Sequence, residues 1–179
     1  MFDGQSLIYA PVTSPSWPDR YMQGRTVSES FRVGIQGTTF ATRATTATTR
    51  VDPLLAATDR RVVLVSDGGT SDLLADLTST QVLAAMDSYH DARRTAGADL
   101  IAIPTVVKAS TMTAGQDTQR QALNTALLAD PTAAGADLVV DIAGLPDLAD
   151  PTDTDWFYDG LHYTAAAAQL VADTWHNRL

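Results

Sequence analysis

Three short apolar runs, each followed by a helical pattern, constrain the fold of this 179-residue chain more than any other feature. The runs occupy residues 61–65, 99–103 and 137–142 and consist largely of valine, isoleucine and leucine. Nearly continuous apolar strands suit a parallel sheet covered on both faces, because a strand with one wet face would alternate polar and apolar residues. Strands that alternate with helices predict an α/β domain.

Helical patterns fill the intervals between the apolar runs. The predicted helices span residues 38–50, 79–96, 116–129 and 165–175. In the second of these, Val82, Met86, Tyr89 and Arg93 recur at spacings of three and four, and Gly97 ends the pattern as a C-terminal cap. The first helix is rich in threonine and alanine, so a linker is its alternative. We favour the helix because apolar residues and a strand follow directly.

Two further segments complete a predicted sheet of five parallel strands: a strand end at Phe2 and a strand at residues 31–35. Only three residues precede Gly4, whereas strands typically have about five residues. Either the first strand is very short or upstream residues have been removed. The length suits one hydrophobic core, and the sequence contains no apparent repeat or boundary. We therefore expect a single domain over residues 1–179.

The charge and composition exclude several classes of function. Lys and Arg number 12 against 21 Asp and Glu, which gives a formal net charge of −9 with the acidic residues scattered. This balance disfavours nucleic acid and anionic membrane surfaces, which attract clustered basic residues. The chain has no cysteine, so disulfides, thiolate catalysis and cysteine-bound zinc are excluded. No apolar run approaches the roughly 20 residues of a membrane span, and no signal peptide is visible. We expect a soluble protein.

Small residues cluster in the loops that follow the predicted strands. The loops contain residues 4–6, 34–38 and 67–72, and the loop after the last strand ends in residues 155–162. In open α/β sheets, ligands bind at the carboxyl ends of the strands. A backbone that approaches a ligand closely needs small side chains. These loops are therefore the candidate functional site.

A hydrolytic serine needs a histidine base within hydrogen-bond reach and an acid that orients it. His90 lies on a predicted helix, which indicates a structural role, and His176 lies near the C-terminus, which indicates a surface role. His162 instead follows Asp159 by three residues in a loop. This spacing places a carboxylate beside an imidazole, and it also suits a turn whose Asp only caps a backbone amide.

Four short blocks, taken together, resemble the conserved blocks of the SGNH (GDSL) hydrolases. In chain order they are Gly4-Gln5-Ser6-Leu7, Gly37, Gly69-Thr70-Ser71-Asp72 and Asp159-Gly160-Leu161-His162. The resemblance extends from Phe2 to Trp175, and the ordered set is more specific than any one block. It implies a flavodoxin-like three-layer αβα sandwich with a five-stranded parallel sheet, and the hydrolysis of esters.

The resemblance also implies a role for each matching residue. Ser6 is then the nucleophile, His162 the base and Asp159 the acid that orients the base. The backbone amides of Ser6 and Gly37 form two arms of the oxyanion hole, and Ser71 occupies the position of the third donor. No metal or organic cofactor is implied. The side chains expected to flank this site are Trp17, Tyr21, Arg43, Trp156, Phe157 and Tyr158, and Trp17 and Phe157 suit the core equally well.

Two substitutions distinguish the chain from the usual family pattern. Gln5 replaces the Asp of the Gly-Asp-Ser block, as in some members that cleave carbohydrate esters, and this change does not touch the proposed chemistry. Ser71 replaces an Asn whose side chain is the third oxyanion donor, and a serine hydroxyl is shorter and rotates. Losing one oxyanion donor typically costs about 10²–10³ in turnover. The sequence therefore predicts weakened catalysis unless the Ser71 hydroxyl donates.

The bias toward Thr, Ala and Asp resembles SGNH domains in the tail proteins of phages that infect high-GC bacteria. Our first hypothesis is a serine esterase that hydrolyses carboxylic esters, with an acylated glycan of the cell envelope as substrate. The rival is a glycan-binding domain of a phage tail protein that cleaves weakly or not at all. Either hypothesis places the chain in a virion tail or outside the cell, as part of a larger protein. A nucleotide-binding function fits the fold class, but the sequence contains no phosphate-binding signature.

Overall fold

A computed structural model describes residues 1–4, 15–23, 30–57 and 59–179 of the chain. The strands are β1 (Phe2–Asp3), β2 (Val63–Ser66), β3 (Leu100–Pro104) and β4 (Leu138–Val140). The α-helices are α1 (Trp17–Met22), α2 (Phe40–Arg50), α3 (Asp52–Leu55), α4 (Thr70–Leu74), α5 (Ser79–Thr95), α6 (Ala114–Ala129) and α7 (Ala165–His176). In the described ranges, 3₁₀-helices span Pro131–Ala134 and Pro146–Leu148.

The four strands form one parallel sheet in the order β1-β2-β3-β4. In the first pair, Phe2 lies opposite Val65 and Asp3 lies opposite Ser66. The predicted α/β fold with a parallel sheet is confirmed. Because all four strands point the same way, the loops that leave their carboxyl ends gather at one edge of the sheet.

Helices cover both faces of the sheet, and each face has its own apolar core. Alternate residues of a strand point to opposite faces, so Leu64 contributes to one core and Val65 to the other. The first core packs the strands against α2 to α6, and the second packs them against α1 and α7. Trp17 of α1 stacks on Trp175 of α7 at a ring separation of 5.4 Å. This double burial explains why the strands are nearly continuous apolar runs.

The expectation of five strands is wrong for the part of the chain that the structure describes. Residues 31–35 run parallel to β1 but form only one isolated bridge, between Arg32 and Phe2. The backbone amides of Val33 and Ile35 donate to the carbonyls of Phe2 and Gly4, each at 2.9 Å. Because β1 has only two residues, it offers residues 31–35 few positions for pairing. A very short first strand was one of the two alternatives that the sequence left open.

The predicted helices are confirmed, including the one in the Thr- and Ala-rich segment. Thr39 caps α2 by accepting a hydrogen bond from the amide of Thr42 at 3.2 Å. Phe40, Arg43 and Ala47 form the buried stripe of this helix, at spacings of three and four. Of these three, Arg43 is the exception, because a charged side chain occupies a core position. No helix in the described ranges is both long and apolar enough to cross a membrane.

Candidate active site

The carboxyl ends of β1 and β2 lie side by side, with residues 31–35 on the other side of β1. Ile35 donates to the carbonyl of Gly4 at 2.9 Å, and Asp67 donates to the carbonyl of Asp3 at 2.9 Å. The connection that leaves β1 leads to residues 31–35 on one side, whereas the connection that leaves β2 leads to β3 on the other side. A point where neighbouring connections diverge in this way is where open α/β sheets bind ligands. The predicted nucleophile Ser6 comes two residues after Gly4 and lies outside the described residues, so its role stays a prediction.

Asp159 and His162 form a hydrogen-bonded pair in the loop before α7. Nδ1 of His162 lies 2.6 Å from Oδ2 of Asp159, and Oδ1 accepts from the amides of His162 at 2.7 Å and Leu161 at 3.0 Å. Partial burial favours the neutral acid, but these hydrogen bonds outweigh it and lower the pKa of Asp159. Asp159 therefore accepts from backbone amides and pairs with the imidazole of His162 at the same time. When Nδ1–H donates to the carboxylate, Nε2 is the basic nitrogen of His162.

The loop that carries this pair is held at both ends and at its tip. Phe157 and Tyr163 form an antiparallel bridge on either side of the pair, and both side chains are buried. At the tip, the carbonyl of Gly160 accepts from the amide of Ser110 at 2.8 Å. Gly160 has a φ of 81°, and a side chain there would collide with the Ser110 hydroxyl. Glycine is therefore required at the tip.

Tyr158 provides an exposed aromatic surface beside the pair. Its ring stacks on the ring of His162 with centroids 5.5 Å apart and planes 17° from parallel, and the residue is 52% exposed. Trp17, Tyr21 and Phe157, which were also expected to flank the site, are buried in the second core. Of these four aromatic side chains, only that of Tyr158 is exposed.

Gly37 lies in an exposed turn between residues 31–35 and α2. Its φ of 62° is in the left-handed region, which favours glycine. The hydroxyl of Thr38 donates to the carbonyl of Ile35 at 2.8 Å and closes the turn. Because Ile35 is bonded to Gly4, this turn begins beside the carboxyl end of β1.

Ser71 is the second residue of α4, and this helix begins directly after the two glycines that come near the end of β2. Gly69 precedes the helix with a φ of 103°. Asp72, which follows Ser71, is buried, and its carboxylate accepts a hydrogen bond from the backbone amide of Phe40 at 3.0 Å. Burial raises the pKa of Asp72, and the hydrogen bond from Phe40 opposes this effect. Asp72 thereby joins the N-terminus of α4 to the N-terminus of α2, which brings Ser71 and the Gly37 turn to the same edge.

No protein-family model and no curated protein matches the chain. Solved structures match nearly its whole length. A member of the lipolytic G-D-S-L family from Veillonella parvula DSM 2008 is 18% identical, with 99% of this chain and 97% of that chain covered, at a TM-score of 0.75. An acetyl xylan esterase is 16% identical, with 99% and 98% covered, at 0.72. The acetylxylan esterase Axe2 from Geobacillus stearothermophilus is 12% identical, with 98% and 91% covered, at 0.66.

The chain has the fold of the SGNH (GDSL) hydrolases. The resemblance expected from the four blocks is confirmed at the level of the fold. Within this SGNH fold, Gly4, Gly37 and Ser71 lie at one edge of the sheet, with the two glycines outside the helices and strands and Ser71 in the first turn of α4. The Asp159–His162 pair is in hydrogen-bond contact, as the spacing in the fourth block predicts.

Two ionisable residues at this edge of the SGNH fold were not anticipated. Asp67 directly follows β2 and is 6% exposed. Burial raises the pKa of Asp67 to about 7, although Arg43 opposes the shift. Tyr163, next to His162, is also buried. Its burial, and to a smaller extent the charge of Asp67, raises the pKa of Tyr163 well above 10. Asp67 precedes two glycines at a strand end, and this position was the available sequence signal.

The described residues contain no group of three or more acidic or histidine side chains that could hold a metal ion.

The other two histidines have surroundings that differ from those of His162. His90 is buried on α5, where Nδ1 lies 2.6 Å from the carbonyl of Ala134 and Nε2 lies 2.9 Å from the Ser66 hydroxyl. Burial lowers the pKa of His90 to about 4. Its role is structural, as its place on a helix indicates.

Proposed function

We propose that this protein is a serine esterase that hydrolyses carboxylic esters. The observation that carries the proposal is the Asp159–His162 pair, with 2.6 Å between Oδ2 and Nδ1, in a chain with the SGNH fold. A pair of this kind activates a serine hydroxyl by accepting its proton. The matching structures include acetyl xylan esterases, which supports ester chemistry.

In the proposed reaction, Nε2 of His162 takes the proton of Ser6 as Oγ bonds to the ester carbonyl carbon. The carbonyl electron pair moves to oxygen, and the amides of Ser6 and Gly37 with the Ser71 hydroxyl stabilise that oxyanion. The intermediate then expels the alcohol, which takes the proton from His162, and leaves an acyl group on Ser6. Water attacks this acyl-enzyme, gives its proton to His162, and releases the acid, while Ser6 regains its proton.

The substrate that we propose is an acylated carbohydrate, such as an acylated glycan of the cell envelope. Two observations support this class. Two of the matching structures are named as acetyl xylan esterases. The exposed ring of Tyr158 beside His162 offers an apolar platform next to the reacting atoms. A strongly acidic substrate is disfavoured by the net charge of −9.

The experiment that tests the proposal combines a fluorophosphonate probe with hydrolysis of a short activated acetyl ester. We expect the wild type to become labelled and to hydrolyse the ester. Ser6→Ala and His162→Ala should abolish both activities, because triad members act as a unit. Ser88→Ala is the matched control, since Ser88 is an exposed serine on α5. Equal rates for the wild type and Ser6→Ala would refute the esterase.

A glycan-binding domain that cleaves weakly or not at all is the second candidate function. The specific observation in its favour is the serine at position 71, where an asparagine amide would extend a donor further from the backbone. On this alternative, the wild type binds acylated glycans but neither reacts with the probe nor releases acid. The placement in a virion tail or outside the cell, as part of a larger protein, is common to both candidate functions and stays a prediction.

A further inference from the structure

Arg43 carries a charge into the core directly beneath the proposed active site. Its side chain and that of Asp3 are each 1% exposed, and Nη2 of Arg43 lies 2.8 Å from Oδ2 of Asp3. Burial opposes the charge, but the attraction of Asp3, Tyr89 and Asp67 together outweighs this effect and raises the pKa of Arg43. A buried ion pair is weak evidence for stability, because desolvation of both ions offsets their attraction. The contacts of this guanidinium indicate a different role.

The two ends of the guanidinium bind two different strand ends. Nη2 also donates to the backbone carbonyl of Asp3 at 3.2 Å, and Nη1 donates to the backbone carbonyl of Asp67 at 2.9 Å. Asp3 is the last residue of β1 and directly precedes Gly4, which leads to Ser6. Asp67 follows β2 and directly precedes the glycines that lead to Ser71. Arg43 itself lies on α2, one turn after the helix N-terminus that follows Gly37.

The surrounding side chains hold the guanidinium in this position. Its carbon lies 4.5 Å from the ring centre of Phe40 and 4.8 Å from that of Tyr89. The hydroxyl of Tyr89 donates to the Asp3 carboxylate, and the hydroxyl of Ser66 accepts from Nη2 at 3.1 Å. A Cβ at Gly68 would lie 2.6 Å from Nη1. The chain therefore approaches the guanidinium as closely as glycine allows.

We propose that Arg43 is a positioning residue that fixes the carboxyl ends of β1 and β2 and the start of α2 relative to one another. Along the chain, the end of β1 precedes Ser6, the end of β2 precedes Ser71 and the start of α2 follows Gly37, and the inference rests on the proposed esterase function. The planar fork of arginine reaches both strand ends at once, which a lysine ammonium on a single stem cannot do. Oxyanion stabilisation depends on donors placed to within a fraction of an ångström, and a misplacement of about 1 Å can cost roughly 10²-fold in rate.

The test compares Arg43→Lys with Arg93→Lys. Arg93 is the matched control, because it is also a buried arginine, pairs with Asp52 at 2.7 Å, and packs over the same Tyr89 ring at 4.6 Å. Among the described residues, the polar contacts of the Arg93 side chain are with Asp52 and not with either strand end. Both variants are compared with the wild type well below their melting temperatures, by kcat and KM on the activated acetyl ester, by the rate of fluorophosphonate labelling, and by hydrogen exchange of peptides covering residues 34–39 and 67–71.

We expect Arg43→Lys to lower kcat and the labelling rate by about tenfold to 10²-fold, with KM changed by less than about threefold. Exchange in both peptides should accelerate. Arg93→Lys should lower the melting temperature while its kcat and exchange in those peptides stay at wild-type values. A kcat of Arg43→Lys equal to that of Arg93→Lys would overturn the proposal. If Arg43→Lys does not fold, Tyr89→Phe decides: it removes one bond to Asp3 and should lower kcat in the same direction, and a wild-type kcat refutes the positioning role.

Failure of the esterase function has a different signature. A wild type that neither reacts with the probe nor cleaves the ester contradicts the proposed function alone. The positioning of the loops is then judged by hydrogen exchange. Faster exchange in Arg43→Lys than in Arg93→Lys supports it, and equal exchange in the two variants refutes it.

Discussion

Replacing Asp67 with asparagine should make the protein more stable at neutral pH and change how its stability depends on pH. The carboxyl of Asp67 is 6% exposed at the end of β2, and burial raises its pKa from 3.8 to about 7, with Arg43 in partial opposition. Between these two pH values the folded protein holds a proton that the unfolded chain releases. The contribution of Asp67 is therefore fully present below about pH 4 and is lost as the pH rises through 7.

The size of the effect follows from the same pKa. At 1.36 kcal/mol per pKa unit, a pKa that rises from 3.8 to about 7 corresponds to roughly 4 kcal/mol in the free energy of unfolding. About 2.5 kcal/mol of this falls between pH 5 and pH 8, because the unfolded carboxyl is already ionised at pH 5. An asparagine has no proton to lose, so Asp67→Asn should lack this decline.

The measurement is urea unfolding of the wild type and of Asp67→Asn from pH 5 to pH 8. The unfolding free energy of Asp67→Asn minus that of the wild type should rise with pH by about 2.5 kcal/mol. Asp91→Asn makes the same chemical change at an exposed position on α5, and its curve should run parallel to that of the wild type. If the Asp67→Asn curve is parallel as well, to within about 0.5 kcal/mol, Asp67 is ionised throughout and the argument from burial is wrong.

Two further predictions concern Ser71 and His90. Ser71→Asn should raise kcat on activated esters by up to about 10²-fold, with little change in KM, because an oxyanion contact forms only as charge develops. If Ser71→Ala keeps full activity and Ser71→Asn brings no gain, Ser71 is not an oxyanion donor. Burial lowers the pKa of His90 from 6.5 to about 4, so the folded protein keeps this imidazole neutral and loses up to roughly 3 kcal/mol as the pH falls from 6.5 to 4. In urea unfolding, His90→Gln should reduce the loss of unfolding free energy as the pH falls from 6.5 to 4. An unchanged loss would contradict a buried neutral His90.

The sheet was predictable where burial on both faces leaves its mark on the sequence. The three apolar runs became β2, β3 and β4, each within two residues of the predicted start. The segment 31–35 was not predictable, because its pairing depends on the length of β1 and not on its own residues. Its Val33 and Ile35 donate to β1 as a strand would, but a two-residue partner cannot extend the ladder.

The pairing of Asp159 with His162 was predictable because both residues lie three positions apart in one loop. The burial of Arg43 was not. The sequence predicted that Arg43 flanks the site, but not that it lies in the core, because only the approach of two distant strand ends supplies partners for a buried guanidinium. Asp67 is a similar case: its position after an apolar strand is visible in the sequence, whereas the burial that raises its pKa exists only in the folded chain.

The loop of residues 156–164 has a mechanical consequence. The acid and the base share this one loop, which is anchored by the Phe157–Tyr163 bridge and by the contact of Gly160 with Ser110. Any displacement of the loop moves both partners together, so the hydrogen bond between Asp159 and His162 survives while the distance from the base to the nucleophile changes. In the proposed esterase, reactivity then depends on how firmly this one loop is anchored to the edge of the sheet. It does not depend on the strength of the hydrogen bond between Asp159 and His162.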